Sequence, residues 1–341
     1  MKNILITGGA GFIGTNLTLA LVNLGMNVVV VDDFKNSYKH NIDMIAKKYA
    51  DQVSVYRQDV TNKTALKQIL LKHNIHAIMH LAAKKYIDES IKKPALYYHN
   101  NMTALEVVLD LALECNIKDI MFASTMAVYG NPKSLPIKET EEYNPISPYA
   151  DTKRLGELAI IDWINHNPDK NAIIYRFSNP IGADDKLMLG DNAKRKNNSL
   201  LPYIINNALQ DNSLTLNGNN HDTRDGTPIR DYIHVKDIAQ IVAKTFTQNN
   251  NKGCNIYNVG CGADGYTVLE MIKSVSNKLN KPINYTFGPK RAGDIEKLVC
   301  DNTKLMQTFD VELKYSLDEM VSSHVNFVKY LNQKSKDKNK R

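Results

Sequence analysis

A tyrosine and a lysine four residues apart are candidates for acid/base chemistry in this 341-residue chain. Residues i and i+4 of a helix are neighbours, so an ammonium group can lie beside a phenol at this spacing. The spacing alone does not separate a catalytic pair from two surface residues, because it occurs four times: Tyr129/Lys133, Tyr149/Lys153, Tyr232/Lys236 and Tyr330/Lys334.

A glycine-rich segment, TGGAGFIG, lies between a strand pattern and a helix pattern near the N-terminus. Gly9-x-Gly11-x-x-Gly14 matches the dinucleotide-binding fingerprint. Gly8-x-x-Gly11-x-x-Gly14 matches a variant of that fingerprint. Glycines permit the tight turn and let the backbone approach a pyrophosphate at the helix N-terminus. Asp32 ends the next strand pattern, where its carboxylate could bind the adenosine ribose and would repel a 2′-phosphate. These features predict NAD as the cofactor.

The elements that must position these residues alternate in type along the first half of the chain. Near-continuous apolar segments predict strands, and a helix is expected from Phe12 to Leu24. We expect strands at 3–7, 27–33, 53–59, 76–83, 119–125 and 171–177, with returns to the sheet at 230–237 and 254–260. Such alternation is typical of an α/β fold with a doubly wound parallel sheet covered by helices on both faces. A loop-rich, charged stretch after Asn179 indicates a second, smaller lobe.

Composition limits the classes of partner. Net charge is +7, and the segment KSKDKNKR at 334–341 supplies +4 of it without any aromatic residue that could stack on bases. We therefore expect a frayed, basic tail at 331–341 and no nucleic-acid partner. No apolar run reaches the ~18 residues of a membrane helix, and the N-terminus lacks the apolar core of a signal peptide. We expect a cytoplasmic protein with reduced cysteines and no membrane partner.

A metal site is not expected from the sequence. The four cysteines (Cys115, Cys254, Cys261 and Cys300) show no zinc-like spacing. His73, His76 and His80 are close in the sequence, but no acidic motif accompanies them.

Five motifs occur in order along the chain: TGGAGFIG (7–14), ASTMAVYG (123–130), SPYADTK (147–153), RFSNPIGA (176–183) and RDYIHV (230–235). They resemble those of the extended short-chain dehydrogenase/reductases, and within them most closely the UDP-glucose (UDP-galactose) 4-epimerases, and the resemblance extends to about residue 325. It implies a Rossmann-like NAD-binding domain over 1–177 with returns near 230–260. A UDP-sugar-binding lobe would comprise 178–229 and 261–330.

The resemblance identifies one of the four tyrosine–lysine pairs as catalytic. It implies that Tyr149 is the acid/base, that Lys153 lowers the pKa of Tyr149 and binds the nicotinamide ribose, and that Thr125 completes the site, with Ser124 as a second candidate. The implied reaction is oxidation of the sugar at C4 by NAD, rotation of the 4-keto-sugar, and reduction on its other face. Homodimerisation is also implied by the resemblance.

Further binding residues are implied by the same motifs. The implied cofactor contacts are Gly8, Gly11, Phe12, Ile13, Gly14, Asp32, Asn36, Ser37, Asp59, Val60, Leu81, Ala82, Ala83, Lys85, Asn100, Tyr149, Lys153 and Phe177. The implied UDP-sugar contacts are Thr125, Tyr149, Asn179, Ser199, Leu200, Asn217, Arg230, Arg291, Asp294 and Leu298. Guanidinium groups suit a diphosphate because they bind oxyanions bidentately. Leu298 stands where related enzymes restricted to glucose and galactose often carry tyrosine, so N-acetylated UDP-sugars are a further expected substrate.

Two other functions are weighed against the epimerase. The 4,6-dehydratases carry an Asp-Glu pair after the catalytic threonine, and related decarboxylases keep the glutamate, whereas this chain has Met126 and Ala127. A non-catalytic NAD or sugar-nucleotide sensor could dispense with the tyrosine or the lysine, but both are present.

Overall fold

The computed structural model describes residues 2–194, 199–248, 252–262, 264–290 and 295–338. Its strands are β1 (Asn3–Thr7), β2 (Asn27–Asp32), β3 (Val53–Arg57), β4 (Ala77–His80), β5 (Asp119–Thr125), β6 (Asn171–Phe177), β7 (Asn179–Ile181), β8 (Leu214–Asn217), β9 (Ile229–Arg230), β10 (Tyr232–His234), β11 (Gly253–Val259), β12 (Tyr266–Thr267), β13 (Tyr285–Gly288) and β14 (Lys297–Leu298). Its helices are α1 (Phe12–Asn23), α2 (Lys39–Lys48), α3 (Lys63–Lys72), α4 (Ile87–Lys92), α5 (Pro94–Glu114), α6 (Pro148–His166), α7 (Leu200–Leu209), α8 (Val235–Gln248), α9 (Val268–Leu279), α10 (Thr303–Thr308) and α11 (Leu317–Lys338). A 3-10 helix, Met126–Tyr129, follows β5.

A parallel sheet organises the large domain. Over the described residues it has seven strands in the order β11-β6-β5-β4-β1-β2-β3. The order runs outward in both directions from the adjacent β1 and β4, which is the arrangement of a doubly wound sheet. The predicted fold class is confirmed.

Burial on both faces explains the apolar strand sequences. In β1, Ile4 and Ile6 join one core cluster with α1 and α8, while Leu5 joins the cluster on the opposite face with α3 and α5. All three side chains are fully buried. Alternate residues of a strand point to opposite faces, so a sheet covered on both sides requires apolar residues at every position.

The smaller lobe is built from short strands and three helices. In it, β8 pairs with β13, and β9 lies between β12 and β14. Helices α7, α9 and α11 supply most of its core, which contains Ile204, Met271 and Val321 among other apolar residues. Strands β7 and β10 form a separate parallel pair.

Two sequence-based expectations differ from the structure. Gly253–Val259 does return to the large sheet, as the edge strand beside β6, but the segment 230–234 does not. Because β11 occupies that edge, β10 pairs with β7 and β9 joins the small lobe. The expected frayed tail is also wrong in part, since α11 continues to Lys338, although the side chains of 332–337 are exposed.

Among the described helices, none is long and apolar enough to cross a membrane.

Candidate active site

The carboxyl ends of the central strands bring the expected functional residues to one edge of the large sheet. The glycine turn follows β1, Asp32 ends β2, Leu81 follows β4, Thr125 ends β5 and Phe177 ends β6. Ligands of doubly wound sheets bind outside this edge, at the point where the strand order reverses. The adjacent β1 and β4 form that point here.

The start of α6 positions the candidate acid/base. The Ser147 hydroxyl accepts a hydrogen bond from the backbone N–H of Ala150 at 3.2 Å, which caps the helix. Tyr149 therefore lies in the first turn of α6, and its phenol is hydrogen-bonded to the side chain of Thr125 across the gap to β5. The structure thus brings the expected tyrosine and threonine together.

Lys153 lies one helical turn further along α6 and is 5% exposed. Its Nζ donates to the carbonyl oxygen of Ala123 at 2.7 Å and lies 4.7 Å from the centre of the Phe122 ring. Burial lowers the pKa of Lys153 to about 8, and the negative charge of Glu157 opposes that fall. The ammonium is therefore held against β5, near the carboxyl end of that strand, and burial makes its proton easier to lose.

The pKa of Tyr149 differs from the expectation. Burial raises it to about 12, and the hydrogen bond from Thr125 acts in the opposite direction. Lys153 was expected to lower it, but its ammonium is engaged by the Ala123 carbonyl, and desolvation of the phenolate dominates. In the protein alone, Tyr149 is a protonated phenol at neutral pH.

The glycine turn packs too tightly for larger residues at two positions. Gly8 has φ +68°, and a Cβ there would lie 2.8 Å from the backbone nitrogen of Ala82. A Cβ at Gly14 would lie 2.5 Å from the Cα of Gly9. This close packing brings the N-terminus of α1 against the turn, where free N–H groups can bind a pyrophosphate.

Asp32 connects the second strand to this turn. Its carboxylate accepts hydrogen bonds from the Ala10 N–H at 3.1 Å, the Phe34 N–H at 2.8 Å and the Ser37 hydroxyl at 2.7 Å. Burial raises the pKa of Asp32, and these hydrogen bonds oppose the rise. The buried acid, the glycine turn and the helix start together fit an adenosine ribose and its diphosphate.

The other expected cofactor residues have varied surroundings. Asp59 is paired with Lys35 at 2.8 Å, so it is already neutralised. The N–H groups of Leu81 and Ala82 bond to Thr7, which holds the segment after β4 beside the glycine turn. The remaining positions differ in their contacts and exposure: Asn36 accepts from Tyr86, Asn100 donates to Asn101, Lys85 is exposed, Ala83 is half-buried, and Val60 and Phe177 are buried.

The expected substrate residues come from the small lobe and its junction with the large domain. Arg230 in β9 is the register partner of Leu298 in β14, so these two are adjacent. Asn179 begins β7, and its amide donates to the carbonyl of Asp231 at 2.9 Å. Ser199 precedes α7, Leu200 begins it and Asn217 ends β8. Arg291 and Asp294 lie outside the described residues.

A protein-family model matches most of the chain. Residues 4–260 match the NAD dependent epimerase/dehydratase family. The chain belongs to this family.

Relatives named UDP-glucose 4-epimerase match nearly the whole length of the chain. A Caenorhabditis elegans UDP-glucose 4-epimerase is 34% identical over 95% of this chain and 97% of its own. A crystal structure of the Bifidobacterium longum UDP-glucose 4-epimerase with NAD+ and UDP has a TM-score of 0.91, 33% identity, and coverage of 96% of this chain and 98% of that one. The UDP-Glc/GlcNAc 4-epimerase of Campylobacter jejuni gives 0.85 and 29%, with coverage of 97% and 100%.

The family name covers two reactions, and the residues after Thr125 bear on the choice in this epimerase/dehydratase family member. Met126 and Ala127 begin the 3-10 helix, where dehydratases are expected to carry acids. Met126 is buried within an apolar cluster with Val128 and Ile137. Neither side chain can transfer a proton, so a water-eliminating acid/base pair is missing at this position.

The Ser124 hydroxyl has a different hydrogen-bond partner from that of Thr125. The Ser124 hydroxyl donates to Glu157 on the buried side of β5, whereas the Thr125 side chain is hydrogen-bonded to the phenol of Tyr149. Glu157 and its partner Arg176 were missed by sequence reasoning. One signal could have found the acid: Glu157 follows Lys153 by four residues, on the same helix face as Tyr149.

Proposed function

We propose that this protein is an NAD-dependent 4-epimerase that interconverts UDP-glucose and UDP-galactose. The observation that carries the proposal is the hydrogen-bonded pair of Tyr149 and Thr125 with Lys153 one turn away, at the sheet edge that also bears the glycine turn. The names of the full-length relatives agree with it.

The residues of this chain move one proton and position the sugar. When bound, NAD+ accepts the C4 hydride, returns it and contributes a positive charge to the site. Tyr149 takes the proton of the sugar 4-hydroxyl and later returns it, and Thr125 holds the phenol by its hydrogen bond. The protein alone keeps Tyr149 neutral, so the phenolate that accepts the proton needs the positive charge of bound NAD+ in addition to the Lys153 ammonium one helical turn away. Arg230 would bind the diphosphate, so that the sugar can present either face.

Leu298 supports a broader substrate range within the same proposal. This side chain is half-buried beside Arg230 and packs against the cluster that contains Met126. Leucine is smaller than the tyrosine expected in enzymes restricted to glucose and galactose. We therefore include UDP-GlcNAc and UDP-GalNAc among the substrates.

Activity assays of the wild type and the variant Tyr149→Phe test the function. The pure protein is incubated separately with the four UDP-sugars, and the products are separated. We expect the 4-epimer to form from each, and a loss of at least ~100-fold in kcat for the variant, because general acid/base catalysis contributes about 10²–10⁴-fold. An undiminished rate in Tyr149→Phe contradicts the mechanism, and formation of a 4-keto-6-deoxy product alone favours a dehydratase.

The homodimer is the second part of the proposal. Helices α5 and α6 border a groove lined by Met102, Leu105, Leu109, Ala159 and Trp163, with Glu106 and Asp162 at its margin. Such an apolar surface with a charged rim is typical of protein interfaces. We expect light scattering to give twice the chain mass for the wild type. Met102→Glu should shift the mass to that of one chain, whereas Lys133→Glu, on an exposed loop, should not.

A further inference from the structure

A buried ion pair lies directly behind the catalytic strand. Glu157 of α6 and Arg176 of β6 have side chains that are 0% and 1% exposed, with 2.7 Å between Oε2 and Nη2. The Arg176 Nε also donates to both carboxylate oxygens, at 3.1 and 3.0 Å. Buried charges of this kind remain only where their hydrogen bonds are satisfied.

The position of the carboxylate connects the two catalytic elements. Glu157 follows Lys153 by one helical turn, so it shares a face of α6 with Tyr149. Its Oε1 accepts the hydroxyl of Ser124, the residue next to Thr125 in β5. The acid therefore ties the strand that carries Thr125 to the helix that carries Tyr149.

We propose that Glu157 is a positioning residue for the epimerase reaction: through Ser124 it holds Thr125 against Tyr149, and through its charge it keeps the Lys153 ammonium protonated. This inference rests on the proposed function. Glu157 touches neither the sugar nor the cofactor in this role. It acts through its neighbours.

The charged and titratable groups around Lys153 support the electrostatic part. On its own helix they are Tyr149, a neutral phenol, and Glu157. From β6, the Arg176 guanidinium is paired with the Glu157 carboxylate and partly offsets its charge, so loss of that carboxylate leaves a net positive charge. From β4, His80 contributes no charge, because burial lowers its pKa to about 3. From β5, Lys153 receives an uncharged carbonyl and an aromatic ring. The Glu157 carboxylate is thus the negative charge that opposes the desolvation of Lys153 among these groups.

A second hydroxyl on the same carboxylate provides a matched control. Tyr143, in the loop before α6, donates to Glu157 Oε2 at 2.8 Å and accepts from Arg176 Nη2 at 2.8 Å. It contacts neither β5 nor the catalytic pair through these bonds. Removing this hydroxyl disturbs the ion pair at least as much as removing that of Ser124, but it leaves the strand connection intact.

The experiment compares Ser124→Ala with Tyr143→Phe in the holoenzyme. Both variants should lower the melting temperature to a similar extent. Only Ser124→Ala should lower kcat, by at least ~10-fold, with KM for the UDP-sugar unchanged, because small misplacements of reacting groups cost up to ~100-fold. Equal kcat values for the two variants, at any level, overturn the positioning role.

A third variant, Glu157→Gln, tests the charge. It should move the alkaline limb of the pH–rate profile to lower pH, because Lys153 then loses its proton more readily, whereas the profile of Ser124→Ala should keep the wild-type limb. An unmoved limb in a folded Glu157→Gln overturns the electrostatic part. If that variant does not fold, the Ser124→Ala and Tyr143→Phe pair decides. An inactive wild type would instead contradict the proposed function itself.

Discussion

At the scale of the residue, Lys153 combines a catalytic charge with a cost to stability. Burial lowers its pKa from 10.5 to about 8, a shift that corresponds to about 3 kcal/mol. Replacement by methionine removes this cost but leaves the Ala123 carbonyl without its donor, which costs about 1–2 kcal/mol. We expect Lys153→Met to abolish epimerisation and to raise the free energy of unfolding at pH 7 by about 1–2 kcal/mol, measured by urea denaturation.

The pH dependence of this gain has a definite sign. Below about pH 8 the lysine is charged in both the folded and the unfolded chain, so the burial cost is fully present. Between about 8 and 10.5 the folded chain loses its proton first, and the cost disappears. The advantage of Lys153→Met should therefore shrink over that range. Lys133→Met is the control, because Lys133 is exposed, and it should alter neither activity nor stability. A less stable Lys153→Met at pH 7 contradicts the argument.

Residue spacing predicted four candidate pairs, and only their surroundings distinguish them. Tyr129 ends the 3-10 helix and Lys133 lies in a loop. Tyr330 and Lys334 are on the exposed end of α11. Tyr149 and Lys153 alone share a helix start with a threonine opposite. The pKa of Tyr149 could not be inferred from sequence, because it depends on burial that the spacing does not encode.

At the scale of the element, the glycine turn couples β1 to α1. A methyl group at Gly14 would lie 2.5 Å from the Cα of Gly9, a backbone contact that cannot relax by side-chain rotation. We expect Gly14→Ala to displace α1 from the turn and to lower NAD affinity by at least ~10-fold, because the helix N-terminus would no longer face the pyrophosphate. Isothermal titration with NAD measures the effect.

Gly25→Ala is the control for this prediction. Gly25 ends α1 with φ +76°, and a Cβ there would meet no atom within 4 Å. The substitution should cost about 1 kcal/mol of stability through backbone strain, with NAD affinity unchanged. Equal NAD affinities for Gly14→Ala and Gly25→Ala would show that close packing of the turn does not determine binding.

The sequence predicted the elements of the large sheet well and those of the small lobe poorly. Strands β1, β2, β4, β5 and β6 are buried on both faces over most of their length, so their apolar runs identify them, whereas the edge strand β3 is largely half-buried. The segment RDYIHV was also expected to join that sheet, yet it divides between β9 and β10 in two other sheets. Local patterns do not specify the partner of a two- or three-residue strand, because pairing is decided by tertiary packing.

At the scale of the whole molecule, the small lobe meets the catalytic strand through one apolar cluster. Met126, Val128 and Tyr129 follow β5, and they pack with Ile137 and with Cys300 of the C-terminal region. The backbone of Ile137 also pairs with that region, donating to the Val299 carbonyl at 2.9 Å. This contact fixes the position of β14 relative to Thr125, and it could not be derived from sequence because about 160 residues separate its two sides.

The proposed substrate range depends on the same junction. Leu298 is in β14, beside Arg230, and it packs on the cluster that follows Thr125, so it connects the proposed diphosphate residue to the end of β5. We expect Leu298→Tyr to lower kcat/KM for UDP-GlcNAc by about 10- to 100-fold, because a clash with one small substituent is worth about 1–3 kcal/mol. UDP-glucose and UDP-galactose, which lack the acetyl group, should be turned over at nearly the wild-type rate. Leu298→Met keeps the volume and should leave both activities in place. Wild-type activity on UDP-GlcNAc below about one percent of that on UDP-glucose would refute the assignment of Leu298, since tyrosine would then have nothing to exclude.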